Sequence, residues 1–261
     1  MLFEMNITIS SIYFSPVKSI SFQKINKCEI KKNIGIIDDR LFAFSRLIDS
    51  EKAQKIGKEP SERKLINFLT LKNTPILNKY SFEYNKGNLE LFDDQKKLIS
   101  INPNNPEEVS LIETEVLNLD DQVKGPVFLL KNNQNPFFDT NSGGEVMNSI
   151  SLINLKSIKD LEKNMGKKVE HQRFRGNFYF DGLDAWEERN WIGKTINING
   201  VPFKVDDHIP RCSATNLKPK SGEITFNLPQ RLKEFYDHMD LGVYLTPLDD
   251  GEVSIEDKII I

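Results

Sequence analysis

Residues 6–14 (NITISSIYF) begin by alternating polar and apolar side chains, the period of two that marks a strand with one buried face. The alternation returns at residues 25–30, and residues 41–47 and 65–71 are further strand candidates. Residues 81–92 hold two alternating runs around Asn85-Lys86-Gly87-Asn88, which predicts a hairpin. Residues 194–199 and 201–205 flank Gly200 in the same way, and residues 241–245 and 258–261 close the chain as strands. Strands this short and frequent, with little helix between them, direct the chain to a mainly β fold, a barrel or sandwich with a few short helices.

Two helices interrupt the pattern. Asn154 can cap a helix whose Leu155, Ile158, Leu161 and Met165 share one face and which Gly166 ends. Pro229 suits the first turn of a second helix reaching about Tyr236. Residues 132–148 are rich in Asn and Gly and read as a loop or domain junction.

Composition removes several function classes. The chain has 261 residues, enough for one large domain or two small ones. Its 35 basic and 38 acidic residues give a formal net charge of −3, which argues against nucleic acid as a partner. No apolar run approaches the ~18–20 residues of a membrane helix, and the first six residues lack the basic start and apolar core of a signal peptide. A cytoplasmic protein with no membrane association is expected. Cys28 and Cys212 match no zinc or Cys-x-x-Cys pattern and are expected to be free. His171, His208 and His238 are scattered without ligand spacing.

Five segments can carry chemistry, each beside a plainer reading. If residues 173–181 (RFRGNFYFD) are one strand, Arg173, Arg175 and Asn177 share a face that could grip an anion. A solvated strand face above a core is the alternative. Cys212, in Pro-Arg-Cys-Ser-Ala-Thr, is either a soft ligand for a thiophilic metal or a small buried apolar residue. Its neighbour Arg211 should point to the opposite side. Lys18 and Ser19, after the first strand, offer an ammonium and a hydroxyl to a phosphate, or form a solvated turn. Asp38-Asp39-Arg40 reads as a turn with a surface ion pair. Trp186-Glu187-Glu188 with Trp191 more simply shapes a loop than performs acid–base work.

Taken in order along the chain, these segments resemble one family. Pro16-Val17-Lys18-Ser19 and Asp39-Arg40 stand in the first half. Arg173-Phe174-Arg175-Gly176-Asn177, Trp186, Trp191-Ile192-Gly193 and Arg211-Cys212-x-x-Thr215-x-x-x-Pro219-x-Ser221-Gly222 stand in the second, followed by Gly242-Val243-Tyr244 and Ile255-Glu256-Asp257. The chain is similar to MOSC-domain (molybdenum cofactor sulfurase C-terminal) proteins preceded by the MOSC N-terminal β-barrel domain. This is the layout of the mitochondrial amidoxime-reducing component and its bacterial relatives.

The resemblance implies an N-terminal β-barrel-like domain over residues 1–130 and a MOSC β-barrel domain over residues 131–261. It implies a molybdopterin-type molybdenum cofactor, with Cys212 as metal ligand and catalytic residue. Lys18, Arg40 and Arg175 would hold phosphate and pterin, with Ser19, Asn177 and Thr215 as further contacts. Many relatives have proline where this chain has Gly176, and many have a second cysteine before the Arg-Cys pair, where this chain has Asp207-His208-Ile209. The implied function is reduction of N-hydroxylated small molecules with electrons from a partner reductase, since no flavin or NAD fingerprint is present. The alternative is a non-catalytic carrier of the cofactor or of its sulfurated form.

Overall fold

The computed structural model describes residues 6–20, 22–138 and 150–261. The N-terminal strands are β1 (Thr8–Phe14), β2 (Gln23–Ile25), β3 (Lys27–Lys31), β4 (Gly35–Ile36) and β5 (Phe42–Phe44). Helix α1 (Ser50–Lys58) follows, then the meander β6 (Tyr80–Asn85), β7 (Asn88–Asp93) and β8 (Lys96–Ile101), helix α2 (Pro106–Leu117) and β9 (Leu129–Lys131). The second half holds β10 (Ile150–Asn154), α3 (Leu155–Met165), β11 (Phe178–Asp181), β12 (Thr195–Ile198) and β13 (Val201–Pro210). It ends with α4 (Leu228–Tyr236), β14 (Asp240–Pro247), β15 (Gly251–Ser254) and β16 (Ile259–Ile260). The architecture is mainly β with short helices, as the strand periodicity predicts.

One sheet dominates, in the order β16-β12-β13-β14-β10-β11-β1-β2. Its centre, β10, is buried along its whole length and runs parallel to β11, with α3 as the crossover between them. Parallel neighbours need such a crossover, and a strand covered on both faces reads as an unbroken apolar run. Alternation then divides the interior. Phe178 and Phe180 join Ile9, Ile12, Val243 and Leu245 in one core, while Tyr179 packs with Tyr13, Leu161 and Leu232 beneath the helices. The two ends of the strand order approach each other, because Ile259 N–H bonds Ile7 O and Ile9 N–H bonds Asp257 O, both at 2.9 Å. Among the described residues the strands do not form a closed barrel. A further core gathers Val17, Phe42, Phe44, Phe82, Leu91 and Ile112. At about 1.5–3 kcal/mol for each large side chain removed from water, these cores hold the sheets together.

Local signals explain most elements. Asn154 accepts the Lys156 N–H and Gly166 adopts φ 61°, so α3 starts and stops where its caps predict. The Lys86-Gly87 and Asn199-Gly200 turns have positive φ at both positions, as tight hairpins require. Helices α1 and α2 were not anticipated. Both carry readable caps: Asp49 accepts from Lys52 N–H, and Asn105 accepts from Glu107 N–H ahead of Pro106. Residues 65–71 are not a strand but a short 3-10 turn, Leu65–Asn67, and a loop. There the Asn73 side chain accepts Thr70 N–H and donates to Phe68 O, so pairing is limited to an isolated antiparallel bridge between Phe68 and Ser45. The proposed junction at residues 132–148 lies partly outside the described residues, from 139 onward. No helix among the described residues is long and apolar enough to cross a membrane.

Candidate functional site

The residues before β11 depart from the strand expected of residues 173–181. His171–Phe174 is a 3-10 turn, and Arg175 caps it in the left-handed region at φ 53°. Packing selects this shape. A Cβ on Gly176 would sit 2.4 Å from Ile153 Cδ1, and Gly176 N–H donates to the Tyr179 hydroxyl at 2.9 Å. Arg173, Arg175 and Asn177 therefore do not share a face. Arg173 is buried, paired with Glu170 at 2.6 Å and donating to Asn216 O. Asn177 is fully buried. Arg175 alone of the three lines a cavity.

That cavity is where the two halves of the chain meet. Ser19 and Arg40 contribute from the first half, with Leu65, Thr70, Leu71 and Lys72 from the segment between α1 and β6. Arg175 and Phe174 come from the turn before β11, and Ser151 and Tyr244 from β10 and β14. The end of β13 and the 3-10 turn Ser213–Asn216 add Ile209, Pro210, Arg211, Cys212, Ala214 and Thr215. Of the residues singled out in the sequence, the structure thus brings together Ser19, Arg40, Arg175, Cys212 and Thr215. Arg40, Lys72, Arg175 and Arg211 line the cavity, and none of its described lining residues is acidic. This local positive field stands against a chain whose net charge is negative.

Arg40 and Arg175 are tied together by a residue the sequence reading did not single out. The Phe22 ring lies 4.6 Å from the Arg40 guanidinium and 4.8 Å from that of Arg175, so one aromatic face group orients both cations. Arg175 also donates to Ile20 O at 2.9 Å. The Asp39–Arg40 pair is not the surface ion pair expected, since Asp39 is 1% exposed. Burial pushes the Asp39 carboxyl up from the usual carboxylate range, opposed by Arg40, Ser15 N–H and Asn177.

Cys212 is partly exposed and opens on the cavity, and its carbonyl accepts from Thr215 N–H at 3.0 Å and Thr215 Oγ1 at 2.8 Å. Thr215 thereby fixes the turn that presents the thiol. Cys28 is the opposite case. It is buried in the core near Val253 O, and burial pushes its thiol up to about 12. Of the two cysteines, Cys212 is the accessible one, and a thiolate needs access to react.

Three other side chains singled out in the sequence are held by buried partners. Arg211 follows the last residue of β13 and lines the same cavity as Cys212, so the strand alternation that would turn it to the opposite side does not apply. It donates through Nε and Nη2 to Leu241 O and through Nη1 to Phe174 O, and burial holds its pKa below the usual range. Lys18 is not among the cavity's lining residues. Its ammonium donates to Phe137 O and Phe138 O at 3.2 Å each. Glu188 is fully buried, accepting from Asn154 Nδ2 at 3.0 Å and Ser157 Oγ at 2.8 Å. It anchors the start of α3, so the acidic-aromatic segment shapes a loop. Among the described residues, no cluster of His, Cys, Asp and Glu could hold a metal ion by itself.

Comparison with known proteins finds a family match for the second half of the chain. The MOSC domain family matches residues 139–260. The mitochondrial amidoxime reducing component 2 of Rattus norvegicus is 33% identical over 94 residues, 36% of this chain and 27% of that protein. The Homo sapiens protein of the same name is 33% identical over 104 residues, 38% of this chain and 30% of its own length. The chain thus matches under a third of the length of these relatives. Among solved structures, the YuaD protein from Bacillus subtilis aligns over 98% of this chain and 94% of its own, with 10% identity and a TM-score of 0.45. The stretch that matches the MOSC domain family, associated with the molybdenum cofactor, is thus the one that carries Arg175, Cys212 and Thr215.

Proposed function

We propose that this protein binds a molybdopterin-type molybdenum cofactor through Cys212 and uses it to reduce N-hydroxylated small molecules. One observation carries the reading: Cys212 opens on the same cavity as Arg40 and Arg175, whose guanidiniums flank one ring. The donor set fits such a cofactor. A thiolate suits a soft metal, and paired guanidiniums suit phosphate and a polar pterin. When bound, the cofactor would supply the two-electron redox chemistry. The chain's own contribution is positional. Thr215 fixes the backbone that presents the thiol, while Phe22 and Ile20 O orient the cations. Ser19 stands at the same cavity and can donate a hydroxyl to the cofactor.

The overall change takes two electrons and two protons: the N–O bond breaks, the oxygen leaves as water and the N–H compound is released. An electron-transfer protein would deliver the electrons, because the sequence has no flavin or nicotinamide fingerprint of its own. The test is turnover of benzamidoxime to benzamidine by molybdenum-loaded protein with a chemical reductant. Turnover that disappears in Cys212→Ser supports the reading. Stoichiometric molybdenum without turnover of any N-hydroxylated probe would overturn the reductase assignment and leave a cofactor carrier.

A further inference from the structure

We propose that Asp39 and Asn177 are positioning residues that hold the Arg40 guanidinium ready for a phosphate-type anion. This rests on the cofactor-binding reading of the cavity, and it assigns Asn177 a place behind the site instead of a contact with the ligand. Asp39 is inside the protein. Its Oδ1 accepts Ser15 N–H at 2.9 Å, and its Oδ2 accepts Asn177 Nδ2 at 3.0 Å and also pairs with Arg40 Nη1. Asn177 completes the hold. Its Oδ1 accepts from Arg40 Nη1 at 3.3 Å and from Ser151 N–H at 3.1 Å. Its Nδ2 donates to Tyr13 O at 3.1 Å as well as to Asp39.

The network joins β1, β10 and the start of β11 to the turn that carries Arg40, so one buried amide ties the arginine to the main sheet. One guanidinium nitrogen, Nη1, is taken up on the protein side. The Arg40 side chain is 15% exposed and lines the cavity, which leaves the rest of its fork to face a ligand. The pairing is otherwise unfavourable for an anion site. A carboxylate beside an anion-binding arginine repels the anion, so charge alone selects against Asp39 at this position. A gain in orientation accounts for its presence, because a held fork loses little freedom on binding.

Charge and orientation predict opposite signs, which makes the inference testable. The probe is inorganic pyrophosphate, titrated calorimetrically into the purified full chain at low salt, with melting temperature recorded for each variant. Asp39→Asn removes a negative charge yet is expected to weaken pyrophosphate binding at least tenfold at a temperature where the variant is folded. Arg40→Lys keeps the charge and alters only a partly exposed side chain, and the same loss is expected because an ammonium cannot be held by two partners while presenting a fork. Equal or tighter binding in Asp39→Asn, wild-type affinity in Arg40→Lys, or no pyrophosphate binding by the wild-type chain would each overturn the proposal. If Asp39→Asn does not fold, Arg40→Lys decides alone. Molybdenum content of the same preparations separates the two ideas. A wild-type protein without molybdenum sinks the cofactor reading, whereas the pyrophosphate affinities judge only the positioning of Arg40.

Discussion

Arg175 and Arg211 lie on the same cavity wall yet do different work, and their alanine variants should fail differently. The Arg211 guanidinium satisfies two carbonyls, Leu241 O and Phe174 O, in residues that are 0% and 2% exposed. Removing it strands both. At about 1–3 kcal/mol for each buried acceptor left unpaired, the cost is roughly 2–5 kcal/mol after relaxation. A chain of this size loses about 2–4 °C of melting temperature per kcal/mol, so Arg211→Ala should melt roughly 5–20 °C lower. Arg175 is only partly buried, and its bond to Ile20 O is worth about 1 kcal/mol. Arg175→Ala should therefore melt within about 4 °C of wild type while losing roughly tenfold in cofactor or pyrophosphate retention, as loss of a charge-assisted contact implies. Calorimetric melting and anion titration on both variants read the two effects separately. An Arg211→Ala protein that melts with the wild type, or an Arg175→Ala protein that keeps full anion affinity, would refute the division of roles.

The remaining predictions address the packing around the site. Cys28→Ser should lose about 1–3 kcal/mol by placing a hydroxyl in an apolar core, with molybdenum content unchanged; urea unfolding and metal analysis check both halves. Gly176→Ala should destabilise by about 1–3 kcal/mol, because its methyl group would meet Ile153 Cδ1 at 2.4 Å and Tyr179 Cζ at 3.0 Å; chemical denaturation measures it. Glu188 has its carboxyl pushed up by burial, with Asn154 and Ser157 as donors. A raised folded pKa means that this group's contribution is present at low pH and is lost as pH rises through the folded pKa. Glu188→Gln should therefore remove a contribution that falls as pH rises from about 4, so that the unfolding free energy at pH 7 minus that at pH 4 is more positive in the variant than in wild type; an unchanged difference would refute it.

Legibility in the sequence followed the range of the forces involved. Period-two alternation placed β1, and the Asn154 and Gly166 caps placed α3, because those signals act within a few residues. Helices α1 and α2 were missed although Asp49 and Asn105-Pro106 cap them: α1 marks its buried face with a single large apolar side chain, Ile56, and α2 spreads its apolar residues around the helix, with Leu111 exposed. The turn at Arg175 was misread as strand because what bends it lies elsewhere: Ile153 closes the space above Gly176, and the Tyr179 hydroxyl takes its N–H. For the site, Arg40, Arg175 and Cys212 were recognisable from motif resemblance. Their convergence depends on a sheet that pairs β1 with β11 across most of the chain. Phe22 gave no local signal, since its role appears only when two distant arginines flank it. The same holds for Asp39, whose neighbours suggested a solvated turn and whose burial comes from Asn177 and Ser15.

The most direct test of the account is molybdenum per chain, by elemental analysis, in wild-type protein and in Cys212→Ser produced side by side with cofactor available. Sulfur-to-oxygen exchange at a partly exposed position should cost about 1 kcal/mol or less in stability, so both proteins should be folded. The account predicts near-stoichiometric metal in the wild type and little or none in the variant, at closely matching melting temperatures. Equal molybdenum in the two proteins, or none in the wild type, would contradict it.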